Sequence, residues 1–178
     1  MQSSKRWLTL VVLALALTLT TACPGGRLDD DADVVMLITA FQSPPVSASA
    51  DPVFGCLFTV TDWSVTIDAK PKNSVGGQSP FNDIVLQSVD IAYAWDNTTL
   101  PTTPTRNIGL GGVAIPAGGS AAVTFAPIGF TDLGIGNAGE SASLTLTFNA
   151  RTVEGTGIAV AALKQLLVES CVTPPVIP

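Results

Sequence analysis

Histidine is the first thing that the sequence lacks, since none of its 178 residues is a histidine. Nucleophilic centres built on Ser-His-Asp or Cys-His pairs are therefore excluded, and so are metal sites that use imidazole ligands. The chain also lacks a Walker or Rossmann motif, in which glycines follow a strand and begin a helix. We therefore expect no metal or other cofactor. We also expect that the protein is not an enzyme, although carboxylate chemistry survives the absence of histidine.

Charge is also scarce, at 12% of the chain, and most of it is negative. Residues 1–22 contain two of the basic side chains, Lys5 and Arg6. The remaining 156 residues carry six basic and fourteen acidic side chains, for a net charge of −8. This charge repels nucleic acid and anionic lipid headgroups, so we expect no nucleic-acid partner. The remaining length is typical of one domain.

One long apolar run is present, and it lies near the N-terminus. Lys5 and Arg6 precede Trp7–Leu19, and the small residues Thr20–Ala22 come directly before Cys23. A positive region, an apolar run and a small-residue site make up a secretory signal. The run is shorter than the ~20 residues of a membrane-spanning helix.

Ala22 followed by Cys23 resembles the bacterial lipoprotein signal, in which the cysteine after a small residue is lipidated. The resemblance implies that Cys23 is the lipid attachment site and that the protein is exported and bound to a membrane through its lipid. Pro24 stands where the familiar sorting rule uses Asp for inner-membrane retention, which implies the outer membrane, facing the periplasm or the cell exterior. The alternative is ordinary cleavage, which would leave Cys23 as a free thiol.

The predicted organisation has four parts. Residues 1–22 form the lipoprotein signal peptide, residues 23–33 an acidic flexible tether, residues 34–173 a β-sandwich domain and residues 174–178 a C-terminal tail. Glycines and four aspartates give the tether a composition that cannot bury a core.

Two cysteines remain in the domain, Cys56 and Cys171. Because exported proteins fold in an oxidising compartment, we expect these two residues to form a disulfide. Two separate buried thiols are the alternative.

Alternation of apolar and polar residues dominates the domain and predicts about seven strands. The clearest run is Ser143–Arg151, in which every second residue from Leu144 is apolar. The other predicted strands lie in 34–41, 63–68, 88–95, 113–115, 123–125 and 158–169. The last segment also has helical spacing, and a preceding "EGTG" turn favours a strand. Short strands with Gly and Pro turns indicate an all-β, immunoglobulin-like antiparallel β-sandwich.

Two segments add resemblances. The run "VAIPAGGSAAVTF" resembles the strand–turn–strand of bacterial immunoglobulin-like modules, and residues 68–95 are similar to uncharacterised exported lipoproteins with a sandwich fold. The second resemblance implies a fold and a location and brings no catalytic residue.

Three functions are compatible with these features. We expect a binding or structural role in the cell envelope, with an envelope protein or a polysaccharide as partner. A carbohydrate-binding module is the alternative if Trp63, Tyr93 and Trp95 form an exposed aromatic platform instead of lying in the core. A carboxylate-dependent hydrolase is third and would need a pair among four candidates. These are Asp62, Asp68, Asp83 and Asp90.

Overall fold

The structure is a computed structural model that describes residues 32–72 and 80–171, and most of these residues lie in β-strands. The strands in this part are β1 (Val34–Gln42), β2 (Ser47–Asp51), β3 (Gly55–Thr59), β4 (Trp63–Pro71), β5 (Ile84–Trp95), β6 (Arg106–Ile115), β7 (Ser120–Phe125), β8 (Ser141–Thr152) and β9 (Gly157–Leu167). Short 3₁₀ turns lie at Pro80–Asn82, Phe130–Asp132 and Ile135–Asn137.

Seven of the strands form two antiparallel sheets. The first sheet has the order β1-β4-β7 and the second has the order β6-β5-β8-β9. With the usual immunoglobulin letters these are sheets A-B-E and C′-C-F-G, so the domain is an immunoglobulin-like antiparallel β-sandwich. The predicted fold class is confirmed.

The inner faces of the two sheets supply the core. The largest fully buried side chains are Trp63, Phe148, Ile67, Ile84, Leu86, Ile91, Ile115, Ile128, Leu144, Leu146, Leu166 and Val34. Phe125 of β7 meets Phe148 of β8 edge to face across the sandwich, with 5.8 Å between the ring centroids. Burial of this apolar surface, at about 25 cal/mol per Å², is the main force that holds the sheets together.

The segment with two possible periodicities is a strand. β9 pairs with β8 from Gly157 opposite Arg151 to Leu167 opposite Ser141. The charge of Lys164 does not disturb the core, because its Nζ lies 4.6 Å from the ring centroid of Phe41 at the edge of the sandwich.

β2 and β3 form a separate two-stranded hairpin that the sequence analysis did not predict. The described residues therefore hold nine strands instead of about seven. The predicted disulfide is present and fixes this hairpin to the chain after β9. Cys56 lies in β3, Cys171 lies four positions beyond β9, and their Cα atoms are 6.0 Å apart. A parallel bridge between Val46 and Val168 holds the same two chain segments together.

A bulge interrupts β6, which is an edge strand. Leu86 pairs with Val113 and Ser88 pairs with Gly109, so three residues of β6 face the single residue between them on β5. Gly111 and Gly112 both have positive φ angles there, 70° and 71°. The bend turns Leu110 into the core and breaks the regular row of free backbone groups along this edge.

Candidate binding groove at one end of the sandwich

The strand registers define two ends of the sandwich. At the near end β1 begins at Val34, which is paired with Pro71, and Ile84 is paired with Thr152. At the opposite end, which we call the far end, Trp63 is paired with Phe125. Ala32, the first described residue, is buried at the near end.

A groove of about 530 Å³ opens at the far end between two loops. The first loop joins β5 to β6 and the second joins β7 to β8. The lining residues are Leu100, Pro101, Thr102, Thr103 and Pro104 of the first loop and Thr131, Asp132, Leu133, Gly134, Ile135, Gly136 and Asn137 of the second. The size is within the range of sites that bind small ligands or short peptide segments.

Three aromatic side chains hold the far-end loops in place through their polar atoms. Trp63 Nε1 donates a hydrogen bond to the backbone oxygen of Pro44, at 2.9 Å. Tyr93 Oη donates to the backbone oxygen of Pro127 at 2.7 Å, in the loop before β8. Trp95 Nε1 donates to Thr103 Oγ1 at 2.8 Å, in the wall of the groove. Each ring therefore fixes a different loop.

One of the three aromatic side chains lies in the core, and the other two lie at its margin. Trp63 is a core residue, as expected, and is fully buried. Tyr93 and Trp95 are only half-buried, because they sit where β5 leaves the core. They donate hydrogen bonds to the two loops that form the groove, and they do not line it.

The second loop is braced by its own polar groups. Asn137 Oδ1 accepts a hydrogen bond from the backbone N–H of Gly134 at 2.8 Å, and the N–H of Asn137 donates to the Gly134 oxygen at 2.9 Å. Asn137 is itself buried, unusually for an amide on a loop. The two loops also touch, because a Cβ on Gly136 would lie 3.3 Å from Leu100 Cδ2.

A hydrogen bond connects the two loops at their base. Asn97 Nδ2 donates to Glu140 Oε1 at 3.0 Å, while Asn97 Oδ1 accepts from the backbone N–H and the hydroxyl of Thr99. Internal bonds on both loops and between them leave the groove formed before any ligand arrives.

Arg106 and Asp132 lie beside Tyr93. Burial of the phenol raises the pKa of Tyr93 to about 12, and the neighbouring positive charge of Arg106 opposes part of this rise. Arg106 Nη1 is buried and has no hydrogen-bond partner within the described part of the chain. Both Arg106 Nη1 and Asp132 Oδ2 approach Gly129, where a Cβ would lie 3.4 Å and 2.5 Å from them. The loop therefore needs glycine at this position to keep the Asp132 carboxylate where it is.

The tip of the β2–β3 hairpin lies next to the second groove loop. Asp51 Oδ1 accepts hydrogen bonds from the backbone N–H groups of Val53 and Phe54, both at 2.8 Å. A Cβ on Gly55 would lie 3.2 Å from Ile135 Cδ1. These hydrogen bonds hold the turn at the tip. Its apolar side chains face solvent, with 79% of Val53 and 74% of Phe54 exposed.

Two more exposed apolar side chains belong to the second groove loop. Ile135, which lines the groove, is 69% exposed, and Phe130 is 68% exposed. Large apolar side chains with this exposure, grouped at one end of a domain, are typical of interaction surfaces.

The four carboxylates considered for hydrolase chemistry have separate surroundings. Asp68 Oδ1 accepts from Thr39 Oγ1 on the outer face of the first sheet, whereas Asp90 accepts from Asn107 and Asn149 on the outer face of the second. Asp83 Oδ1 accepts from the N–H of Ala117 at the near end, and Asp62 is exposed at the far end.

No pair of these carboxylates faces a shared cleft in the described part of the chain. Among residues 32–72 and 80–171, no three His, Cys, Asp or Glu side chains are grouped closely enough to hold a metal ion.

Cys23, the predicted lipid attachment site, lies outside the described residues, as do the predicted signal peptide and tail. Within the described chain, no helix has both the length and the apolar character needed to cross a membrane.

The residues that build the groove were not identified from the sequence, in which residues 96–105 fall between two predicted strands. Two weak signals were present: the closely spaced glycines of Gly134–Gly139, and Asn137 three positions after Gly134. Both are typical of tight turns, and neither distinguishes a groove from an ordinary loop. Neither a protein-family model nor a curated protein matches the chain, so the role of the groove is inferred from its geometry.

Proposed function

We propose that this protein is a lipid-anchored module of the bacterial cell envelope that binds a partner through the far-end groove. The position of the groove carries the proposal. The chain from Cys23 enters at the near end, beside Ala32, and β1 then runs nine residues toward the far end. At ~3.3 Å per residue this strand spans about 30 Å. An acylated Cys23 would hold the near end toward the lipid and leave the groove facing away from it.

The rigidity of the far end favours a binding role over a purely structural one. A preformed groove costs little conformational entropy when a partner binds, because its loops are already ordered. The hydrogen bonds of Tyr93 and Trp95 and the Cys56–Cys171 disulfide all contribute to this order.

We further propose a polypeptide partner in preference to a polysaccharide. Sugar-binding sites commonly stack a pyranose ring on an exposed aromatic face, and the lining of this groove holds no aromatic side chain among its twelve residues. Its apolar members, such as Leu133 and Pro104, are suited to contact with aliphatic side chains.

The experiment that tests the proposal combines mass spectrometry with crosslinking in living cells. A photo-crosslinking amino acid is placed at Ile135 in the groove, and at Ala92 on the exposed outer face of β5 as a matched control. We expect the membrane-bound protein to begin at an acylated Cys23. We also expect a discrete adduct from position 135 that is absent from position 92.

Each readout addresses one half of the proposal. An unmodified Cys23, or a mature chain that begins elsewhere, contradicts the lipid anchor. Equal adducts from both positions, or none from position 135, contradict the groove as the binding site.

A further inference from the structure

Charge is distributed unevenly between the two ends of the described domain. The far end carries six carboxylates and two cations, Arg106 and Lys164. The carboxylates are Asp51, Asp62, Asp96, Asp132, Glu140 and Glu169. The near end is balanced, with Lys70, Lys72 and Arg151 against Asp33, Asp83 and Glu154.

Three of the six far-end carboxylates are held by neutral groups, whereas Asp132 lies beside Arg106. Asp51 accepts from backbone N–H groups, Glu140 accepts from the Asn97 amide, and Asp96 accepts from Ser141 Oγ and Gln165 Nε2. These bonds fix the positions of the carboxylates without neutralising their charge. The far end therefore presents a negative potential to any approaching molecule.

Exposed apolar side chains occupy the same end. Val53 and Phe54 project from the hairpin tip, and Phe130 and Ile135 project from the second groove loop. Leucine, isoleucine and proline side chains also contribute apolar surface to the groove lining. A surface that combines apolar anchors with unneutralised carboxylates is complementary to a partner with apolar and basic side chains.

We propose that the occupant of the groove is a polypeptide segment in which basic residues alternate with aliphatic residues or proline. The inference rests on the proposed binding function and adds the chemistry of the partner. The aliphatic side chains enter the groove between Leu100 and Leu133, and the basic side chains face Asp132 at its wall and Asp51 at the hairpin tip. An anionic lipid or an acidic polymer is repelled by the same surface.

The test uses the mature protein, purified in detergent and labelled with ¹⁵N, and four acetylated nine-residue peptides. Their repeats are Lys-Pro-Leu, Gln-Pro-Leu, Glu-Pro-Leu and Lys-Pro-Ser. We expect the Lys-Pro-Leu peptide to bind most tightly and to shift the amide signals of residues 131–137. Raising the salt concentration from 50 to 500 mM should weaken this binding about tenfold, since the Debye length falls below ~5 Å.

Paired variants locate the charge effect. The double variant Asp51→Asn with Asp132→Asn keeps the hydrogen-bond acceptors and removes two charges. It should lower the affinity for the Lys-Pro-Leu peptide about fivefold and leave the affinity for the Gln-Pro-Leu peptide unchanged. Asp68→Asn combined with Glu154→Gln removes two charges elsewhere and is the matched control, for which we expect less than a twofold change.

The outcomes separate the inference from the function on which it rests. If the Gln-Pro-Leu and Lys-Pro-Leu peptides bind the groove equally, the basic partner is refuted and the groove remains a binding site. If the Glu-Pro-Leu peptide binds best, or Lys-Pro-Ser binds as well as Lys-Pro-Leu, the proposed chemistry is wrong. If no peptide shifts residues 131–137 and an oligosaccharide does, the polypeptide partner itself is refuted.

Discussion

At the scale of single residues, the polar atoms of partly buried aromatic rings contribute to the structure alongside their apolar faces. Tyr93 illustrates this, because its ring packs beside the core while its hydroxyl holds the loop at Pro127. A hydroxyl in this setting favours its neutral form, since ionisation would place a charge in a poorly solvated site and remove the hydrogen bond that it donates.

The titration of Tyr93 can be observed directly, because it is the single tyrosine of the chain. We expect its absorbance at 295 nm to report a pKa of about 12 in the folded protein, against 10.0 for an ordinary tyrosine. Between these two values the unfolded chain loses the proton and the folded chain keeps it. The contribution to stability is therefore complete below pH 10 and is lost as the pH rises toward 12.

Two controls accompany this titration. Unfolding in guanidinium should return the pKa to about 10, and Arg106→Gln should move it further upward by removing the nearby positive charge. A folded protein whose tyrosine titrates near 10 would show that the phenol is solvated and does not hold Pro127.

Backbone conformation sets a second residue-scale constraint, at the bulge of β6. Gly111 and Gly112 have positive φ angles, and at Gly111 a Cβ would meet no atom within 4 Å. The cost of a side chain there is thus conformational and not steric. We expect Gly111→Ala to lower the free energy of unfolding by about 1–2 kcal/mol in urea denaturation.

Gly109→Ala is the matched substitution on the same strand. Gly109 also has open space around its Cβ position and does not have a positive φ. Its replacement should be neutral or should stabilise the protein by up to about 1 kcal/mol, since alanine restricts the unfolded chain. Equal effects of the two substitutions would contradict the assignment of strain to the bulge.

At the scale of elements, strands with regular alternation were predictable and strands held by tertiary contacts were not. β8 buries Leu144, Leu146 and Phe148 on one face, as its period of two predicted. β2 has the sequence SASAD, whose small residues bury little surface and give no apolar face. The hairpin exists because β3 pairs with β2 and because the disulfide and the Val46 bridge attach it to the sandwich.

The groove was unpredictable for the same reason. Its first wall depends on the hydrogen bond between Trp95 and Thr103, and its second wall depends on the burial of Asn137. Both are properties of the folded surroundings. The Cys56–Cys171 bond was predictable for two reasons. The N-terminal signal predicts export to an oxidising compartment, and the predicted lipidation of Cys23 leaves only two cysteines to pair.

Removal of that bond tests how the hairpin is attached. The bond closes a loop with a sequence separation of 115, for which the loop-entropy model gives a stabilisation of about 4–5 kcal/mol. We expect Cys56→Ala combined with Cys171→Ala to lower the urea midpoint without unfolding the domain at room temperature. Amide protection should fall in β2 and β3 and persist in β5 and β8.

The single variant Cys171→Ala serves as the comparison and should reproduce the loss of stability, because one cysteine cannot form the bridge. Two thiols that react in the folded wild-type protein without reductant would contradict the disulfide. Unchanged protection of β2 and β3 in the double variant would show that the Val46 bridge is sufficient to hold the hairpin.

At the scale of the whole molecule, the two ends of the sandwich are specialised. The near end receives the chain from the predicted lipid anchor and has balanced charge, whereas the far end combines the groove, the hairpin tip and an excess of carboxylates. On the outer face of the second sheet, Ala92 and Ala94 are exposed along β5, and Leu163 and Leu167 are exposed along β9. The uneven distribution of charge in the described domain therefore runs along the strands.

The path of β1 has a mechanical consequence. β1 begins at Val34 on the side of the proposed anchor and reaches Gln42 at the far end, and only four residues then separate it from the hairpin. A pull between the anchor and a partner on the hairpin would first extend the predicted tether and would then follow the backbone of β1, which is already extended and has little slack. The load would reach the sheets as shear on the β1–β4 hydrogen bonds, so the folded domain would act as a stiff element in series with a compliant tether.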